Sequence, residues 1–373
     1  MRRTRYVGTI AVALLMALTA AVAGCGSGET TTTEAAETPT TAAETSTTMV
    51  EDTTTTTQVE TVFQQAEKQS LATLGEIPTP SKTYKIGYLM ITLQNPFWVT
   101  LGEGAKAAAA EYGMEISVQS APTENDVTSQ LNTLETMAGQ DFDAIIVHTI
   151  TADNLVPGIV TARKKGVLVV DADGRVNGMA VKAEGVELPQ FNMIDFEKQG
   201  QLGAEYIIAK VGSGEGKVAI IEGLAGAPQS DARAAGAKKA FEAAGFKVVA
   251  SQPGNWDRTT ALNVATNILQ ANPDLVGFYA ANDVMALAAS EAVSQAGKAG
   301  KVVIVGTDFI EDAKAAIQEG RMDASVAFSP YIVGELAVAG TLKLLEGQDV
   351  PADFKVVNMV IDKDNVGLMS DWK

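Results

Sequence analysis

Lys85–Leu101 reads KIGYLMITLQNPFWVTL, and the change of character in its middle sets the fold. Ile86 to Met90 is a short, nearly all-apolar run, the pattern of a strand buried on both faces of a parallel sheet. After a brief polar turn, Asn95-Pro96 opens a helix. An Asn at the N-cap accepts a bond from a free N–H of the first turn, and Pro just inside gives up a donor that would be unpaired there anyway. A strand therefore hands directly to a helix. In open α/β sheets the crevice beyond the carboxyl ends of the strands is where ligands bind. That position holds an amide, Asn95, and two adjacent aromatics, Phe97 and Trp98.

At 373 residues the chain has room for two domains with real cores. Its 28 basic and 45 acidic residues give a net charge of −17, which repels phosphate backbones and argues against nucleic-acid binding. One Cys, Cys25, and one His, His148, exclude disulfides within the chain, a Cys/His zinc site and a Cys nucleophile in the folded part. Arg2, Arg3 and Arg5 precede an apolar run, Val7 to Ala23, that ends in Ala23-Gly24-Cys25. These are the marks of a secretory signal over 1–24. Small residues before the Cys resemble the lipobox of bacterial lipoproteins, which implies a lipid on Cys25 and anchoring on the outer face of the cytoplasmic membrane. From 25 to 58 the chain is Thr-rich and acidic, with too little apolar surface to offset backbone ordering, so a disordered tether is expected. Residues 59–82 form an N-terminal extension in which Val59 to Leu74 has helical character.

From Tyr84 onward, short apolar runs alternate with longer amphipathic ones, the signature of βαβ units and mostly parallel sheets. Strands are expected at Asp143–His148, Val167–Val170, Lys217–Ile221, Phe246–Ala250, Leu275–Ala280, Lys301–Val305 and Met322–Ala327, with helices between them. The alternation breaks around Glu184 to Asp195, where a first crossing between two halves is placed. A return crossing is placed at Phe328 to Tyr331. The Gly-rich run Gly212 to Gly216 precedes a strand instead of opening a helix, so it reads as a turn and not a phosphate loop. With one His and no Gly-x-Ser-x-Gly elbow, a Ser-His-Asp hydrolase is not supported. Asp362-Lys363-Asp364-Asn365 lacks the Gly and Glu of a calcium loop. No cofactor, no metal and no enzymatic activity are expected.

Four motifs now stand in order: Gln94-Asn95-Pro96-Phe97-Trp98; Ala250-Ser251-Gln252-Pro253 with Trp256-Asp257-Arg258; Ala281-Asn282-Asp283 with Met285-Ala286-Leu287; and Val305-Gly306-Thr307-Asp308. Together they resemble the ribose/sugar-binding branch of the type I periplasmic binding proteins over roughly Tyr84 to Met359. The resemblance implies an α/β fold of two Rossmann-like lobes with parallel sheets, joined by a three-stranded hinge. The N-terminal lobe is expected at 83–194 with 328–353, and the C-terminal lobe at 195–327 with 354–373. It also implies a pocket for a small sugar at Asn95, Phe97, Trp98, His148, Asp171, Trp256, Asn282 and Asp308. The chemistry agrees: flat C–H faces of a sugar ring pack on aromatics, and hydroxyls donate to carboxylates. At four places the chain departs from the ribose-binding pattern. Ala172 and Asp231 stand where that branch has Arg, and Phe328 where it has Gln. Arg233, two residues on, matches an Arg of the galactose-binding branch. His148 replaces an Asn. On this reading the pocket has lost two guanidinium groups, which makes ribose itself a poor candidate.

The expected role is therefore an extracytoplasmic solute-binding protein, a monomer, that closes on a neutral sugar or polyol and delivers it to the permease of an ABC importer. A sensor presenting the sugar to a receptor kinase or chemoreceptor is the alternative.

Overall fold

The computed structural model describes residues 60–212 and 216–373. The signal, Cys25, the tether and residues 213–215 of the Gly-rich run lie outside them. The N-terminal half runs α1 (Val62–Ala72), β1 (Lys85–Thr92), α2 (Pro96–Glu111), β2 (Glu115–Ala121), α3 (Val127–Met137), β3 (Ala144–Val147), α4 (Val156–Lys164), β4 (Leu168–Asp171) and α5 (Gly178–Ala183). There follow α6 (Phe196–Val211), β5 (Lys217–Glu222), α7 (Pro228–Ala243), β6 (Lys247–Pro253), α8 (Arg258–Ala271), β7 (Leu275–Ala280), α9 (Asp283–Gln295), β8 (Val303–Thr307), α10 (Glu311–Glu319) and β9 (Ala324–Ala327). The chain ends with α11 (Pro330–Leu345) and β10 (Met359–Asp362).

The strands make two sheets. The first has the order β2-β1-β3-β4 and is parallel throughout. The second has the order β10-β9-β8-β7-β5-β6, parallel except for the antiparallel edge strand β10. Three segments pass between the sheets, near 191–195, 327–329 and 353–358. The first and third lie side by side, bridged at Asn192 and Asp353 and joined by Val356 N–H to Met193 O at 2.9 Å. The sequence pattern misses β2, α5 and β10. Both missed strands are sheet edges, where one side needs less apolar cover, and β2 is mostly half-buried.

The quoted stretch behaves as its chemistry dictates. Seven of the eight residues of β1 are buried, and Asn95 caps α2 by accepting from Phe97 N–H at 3.0 Å. Helix α11 returns from the second crossing to pack on α2. A Cβ at Gly104 would collide with the Tyr331 carbonyl, and one at Gly334 with Leu101 O, so the two backbones touch only because both positions are glycine. Thr61 and Gln64 form a reciprocal capping box on α1, and Phe63 is buried edge-on against Tyr331 and Trp372. Lys343 of α11 donates to Leu74 O at 2.8 Å and Glu76 O at 2.9 Å, where α1 ends. Apolar clusters cover both faces of each sheet, which leaves the carboxyl ends of the strands and their loops as the place for polar groups.

Candidate ligand-binding site

Those loops enclose a small cavity, of about 40 Å³, between the two sheets. The N-terminal half supplies Asn95, Phe97, Trp98, Glu124, Asp173 and Arg175. Ile194, Phe196 and Phe328 come from the crossing segments and α6, and Gln229, Arg233, Trp256, Asn282 and Asp308 from the C-terminal half. Phe97 meets Trp98 edge to face, with centroids 5.0 Å apart, and Phe328 at 5.3 Å. Trp256 comes from the other half, on the turn between β6 and α8.

The polar groups work in linked pairs. Asn95 spends its oxygen on the α2 cap and donates its NH₂ to Glu124 at 2.9 Å, so capping and cavity roles coexist in one side chain. Burial pushes the Glu124 carboxyl up, against the pull of that hydrogen bond and of Arg175. Asp173 and Arg175 form a buried ion pair at 2.5 Å, which helps hold the Asp173 carboxyl well below the usual range. Arg233 on α7 donates to Gln199 Oε1 at 2.8 Å, Ala281 O at 2.7 Å and Asp308 Oδ1 at 3.2 Å. Burial nevertheless pushes the Asp308 carboxyl up to about 7, with Arg233 opposing and Glu124 adding. Asn282 caps α9 through its oxygen, on Met285 N–H at 2.9 Å, which leaves its NH₂ for a ligand.

Backbone strain is concentrated here. Among the described residues, positive φ at non-glycine positions occurs at Asn255, Trp256, Asp308 and Phe309. Two of these line the cavity and the other two adjoin them. The turn at Asp308 is held by Asp283, buried at the start of α9, which accepts from Ile310 N–H at 3.0 Å and from Ser325 Oγ at 2.8 Å.

Three residues expected in the pocket do not line it. Asp171 is fully buried and accepts from Val176 N–H and Gln190 Nε2, both at 2.8 Å, so it fastens the loop that carries Asp173 and Arg175. Its carboxyl is pushed up to about 7 by burial and the neighbouring Asp173. His148 sits one layer behind the cavity, wholly enclosed. Asp231 is exposed on the outside of α7, since residues two apart on a helix face different ways and Arg233 takes the inward position. The supposed loss of two guanidinium groups is also corrected, because Arg175 and Arg233 both line the cavity. Glu124, Asp173, Arg175, Ile194, Phe196 and Gln229 went unread in the sequence.

Two parallel-sheet lobes joined by three crossing segments, with a polar and aromatic cavity where their strand ends meet, are the construction of a solute-binding protein. Residues 86–349 match the family described as periplasmic binding protein domain, and the chain belongs to that family. It is 39% identical over 280 residues to the D-allose-binding periplasmic protein of Escherichia coli K12, covering 72% of this chain and 89% of that one. It is 35% identical over 275 residues to the D-ribose/D-allose-binding protein of Pseudomonas aeruginosa, covering 72% and 84%. A solved ABC transporter periplasmic solute-binding protein from Actinobacillus succinogenes 130z, with bound D-allose, superposes with a TM-score of 0.72 at 34% identity. That match covers 76% of this chain and 99% of the other.

Proposed function

We propose that this protein captures a neutral monosaccharide or related polyol in the cavity between its lobes and passes it to the permease of an ABC importer. One observation carries the reading. Asp173 Oδ1, Arg175 Nε and Gln229 Oε1 are buried without a hydrogen-bond partner, and all three residues line the cavity. Buried polar groups are normally paired, so two acceptors and a donor left over on residues that line an aromatic-walled space favour a partner rich in hydroxyls. Three carboxylates, two guanidinium groups and raised pKa values at Glu124 and Asp308 leave little net charge, which favours a neutral ligand. D-Allose is the first sugar to test, because relatives over most of the chain carry it in their names or in a bound state. The ligand touches both lobes and therefore binds the closed form better, which shifts the population toward it.

Thermal unfolding of the protein with D-allose, D-ribose and xylitol tests this. A ligand at 100 times its dissociation constant should stabilise by about 2.7 kcal/mol and raise the melting temperature by several degrees. If none of the three moves it at millimolar concentration, the reading is wrong. The lipobox-like Ala23-Gly24-Cys25 supports anchoring by acyl chains outside the cytoplasmic membrane, with the Thr-rich segment as the tether. Cys25→Ser should then move the protein from the membrane fraction to the medium or periplasm; unchanged fractionation would remove the anchor.

A further inference from the structure

His148 is the only histidine of the chain, and it touches the cavity through one intermediary. It follows the last residue of β3 and is fixed by its backbone N–H to Leu89 O at 3.0 Å. Its ring meets three groups: Nε2 lies 2.8 Å from the Tyr88 hydroxyl and Nδ1 2.9 Å from Asp173 Oδ2, while Arg175 Nη2, held far closer to that same carboxylate oxygen at 2.5 Å, is 3.4 Å from Nδ1. Tyr88, in the middle of β1, and His148 are wholly buried, and Asp173 is 4% exposed. The indole of Trp98 closes the cavity side of the imidazole, with centroids 5.1 Å apart.

The direction of each bond follows from the charge states. Burial holds the ring below its ordinary pKa, so it is neutral, while Arg175 and His148 keep Asp173 ionised despite its burial. An ionised carboxylate only accepts, so Nδ1 carries the proton and donates to it. Nε2 is then a bare lone pair that accepts from the Tyr88 hydroxyl, itself kept protonated by burial. Asp173 Oδ2 thus takes donors from His148 and from Arg175 Nη2, while Oδ1 is left unpartnered. The saturated oxygen fixes the carboxylate plane, and the plane fixes where the free oxygen points.

We infer that Tyr88 and His148 are positioning residues that lock Asp173, and through it Arg175, in the orientation that presents Oδ1 and Nε to ligand hydroxyls. The pair acts as a fixed acceptor-and-donor fork whose geometry helps select which neighbouring hydroxyls are accepted. This rests on the sugar-binding reading above and adds residues that never touch the sugar. Without the ring's donor, Asp173 keeps only Arg175, and both can turn together.

The test uses the whole chain, with D-allose, D-ribose and xylitol in parallel. Ring ¹⁵N spectra of this single histidine should show a neutral, Nδ1-protonated imidazole, with an Nε2 resonance that shifts in Tyr88→Phe as its hydrogen bond is lost. Calorimetry should show the sugar dissociation constant rising roughly tenfold or more in His148→Ala, as for loss of a bond to a charged group. His148→Asn should recover most of that loss, because the amide NH₂ can stand where Nδ1–H stood. Both variants empty part of a packed site and lower the melting temperature, so a merely structural role would weaken them alike; the split in affinity belongs to positioning. An Nε2-protonated ring, or equal affinity in the Ala and Asn variants, overturns the inference. A wild type that holds no sugar overturns the function reading and the ligand half of this one, while the ring spectrum still decides the relay.

Discussion

Arg233→Ala is expected to abolish sugar capture and to lower the unfolding free energy by about 3–5 kcal/mol at pH 8, with a smaller loss at pH 5. The guanidinium serves Gln199, Ala281 O and Asp308 at once and lies over the faces of Phe196 at 5.5 Å and Phe328 at 5.8 Å. Truncation leaves three buried acceptors without donors and one carboxylate without its counter-charge. The pH dependence comes from Asp308. Its folded-state pKa, about 7, lies above the roughly 3.9 of an unfolded Asp. A raised acid contributes stability that is fully present below the unfolded value and lost as pH climbs through the folded one. Removing Arg233 takes away the opposing charge, so the folded value rises further and the loss extends to higher pH. The wild-type and variant curves should therefore lie closer at pH 5 than at pH 8. Urea unfolding at both values, with calorimetric sugar titration, measures this. Arg233→Lys should not restore binding, since one ammonium cannot span three acceptors set around a planar fork. Equal destabilisation at both pH values, or retained sugar binding, would show that the Arg233–Asp308 pair is not what organises this side of the cavity.

The same pair marks how far the sequence could be read. Strand-to-helix transitions such as Leu89 to Phe97 are written in local chemistry, and the buried strands and most helices follow from them. Residues at strand ends that open helices, Asn95 and Asn282, are legible for the same reason, as is Asp308 closing β8. The errors have geometric causes. Asp171 is the last ladder residue of β4, and its carboxylate turns back to hold the loop; the chain reaches the cavity two residues later, at Asp173, along a path that no local pattern specifies. Placing Arg at the position of Ala172 and finding none hid Arg175, three residues on. Asp231 and Arg233 could not both face inward from one helix, and helical phase alone would have excluded one of them. Glu124 follows β2, an edge strand with the mixed polarity of EISVQSA, so neither the strand nor the residue that it delivers stands out. His148 stands at a pocket position of the resemblance, but it sits one layer back, and its place is set by Tyr88, sixty residues earlier, which only the pairing of β1 with β3 brings to it.

Trp256→Ala should weaken the sugar about 100-fold, and the reason lies in how the ring is held. Trp256 and Asn255 adopt φ of 62° and 56°, consecutive left-handed residues that cost about 1–3 kcal/mol each and persist only where the surroundings fix them. The surroundings are the second lobe's apolar cluster, in which Trp256 is 8% exposed, and Gly223, whose missing Cβ leaves the space that the indole fills. Trp256 is thus a core residue on one edge and a cavity wall on the other. Loss of the ring removes the aromatic side chain that the second lobe contributes to the cavity wall, which Phe97 and Trp98 of the first lobe also line. A buried aromatic contact of this size accounts for about 2–3 kcal/mol, which is the predicted factor. Stability should fall as well, by about 3 kcal/mol, as for other large-to-Ala changes in a core. Gly223→Ala separates the two roles. The ring remains, but the new methyl must displace it, so affinity should fall toward that of Trp256→Ala while most of the apolar area stays buried. Calorimetric dissociation constants for D-allose in both variants, beside their urea midpoints, give the comparison. If Trp256→Ala binds within threefold of wild type, the indole serves the core alone, and the second lobe's hold on the sugar rests on its polar groups, Arg233, Asn282 and Asp308.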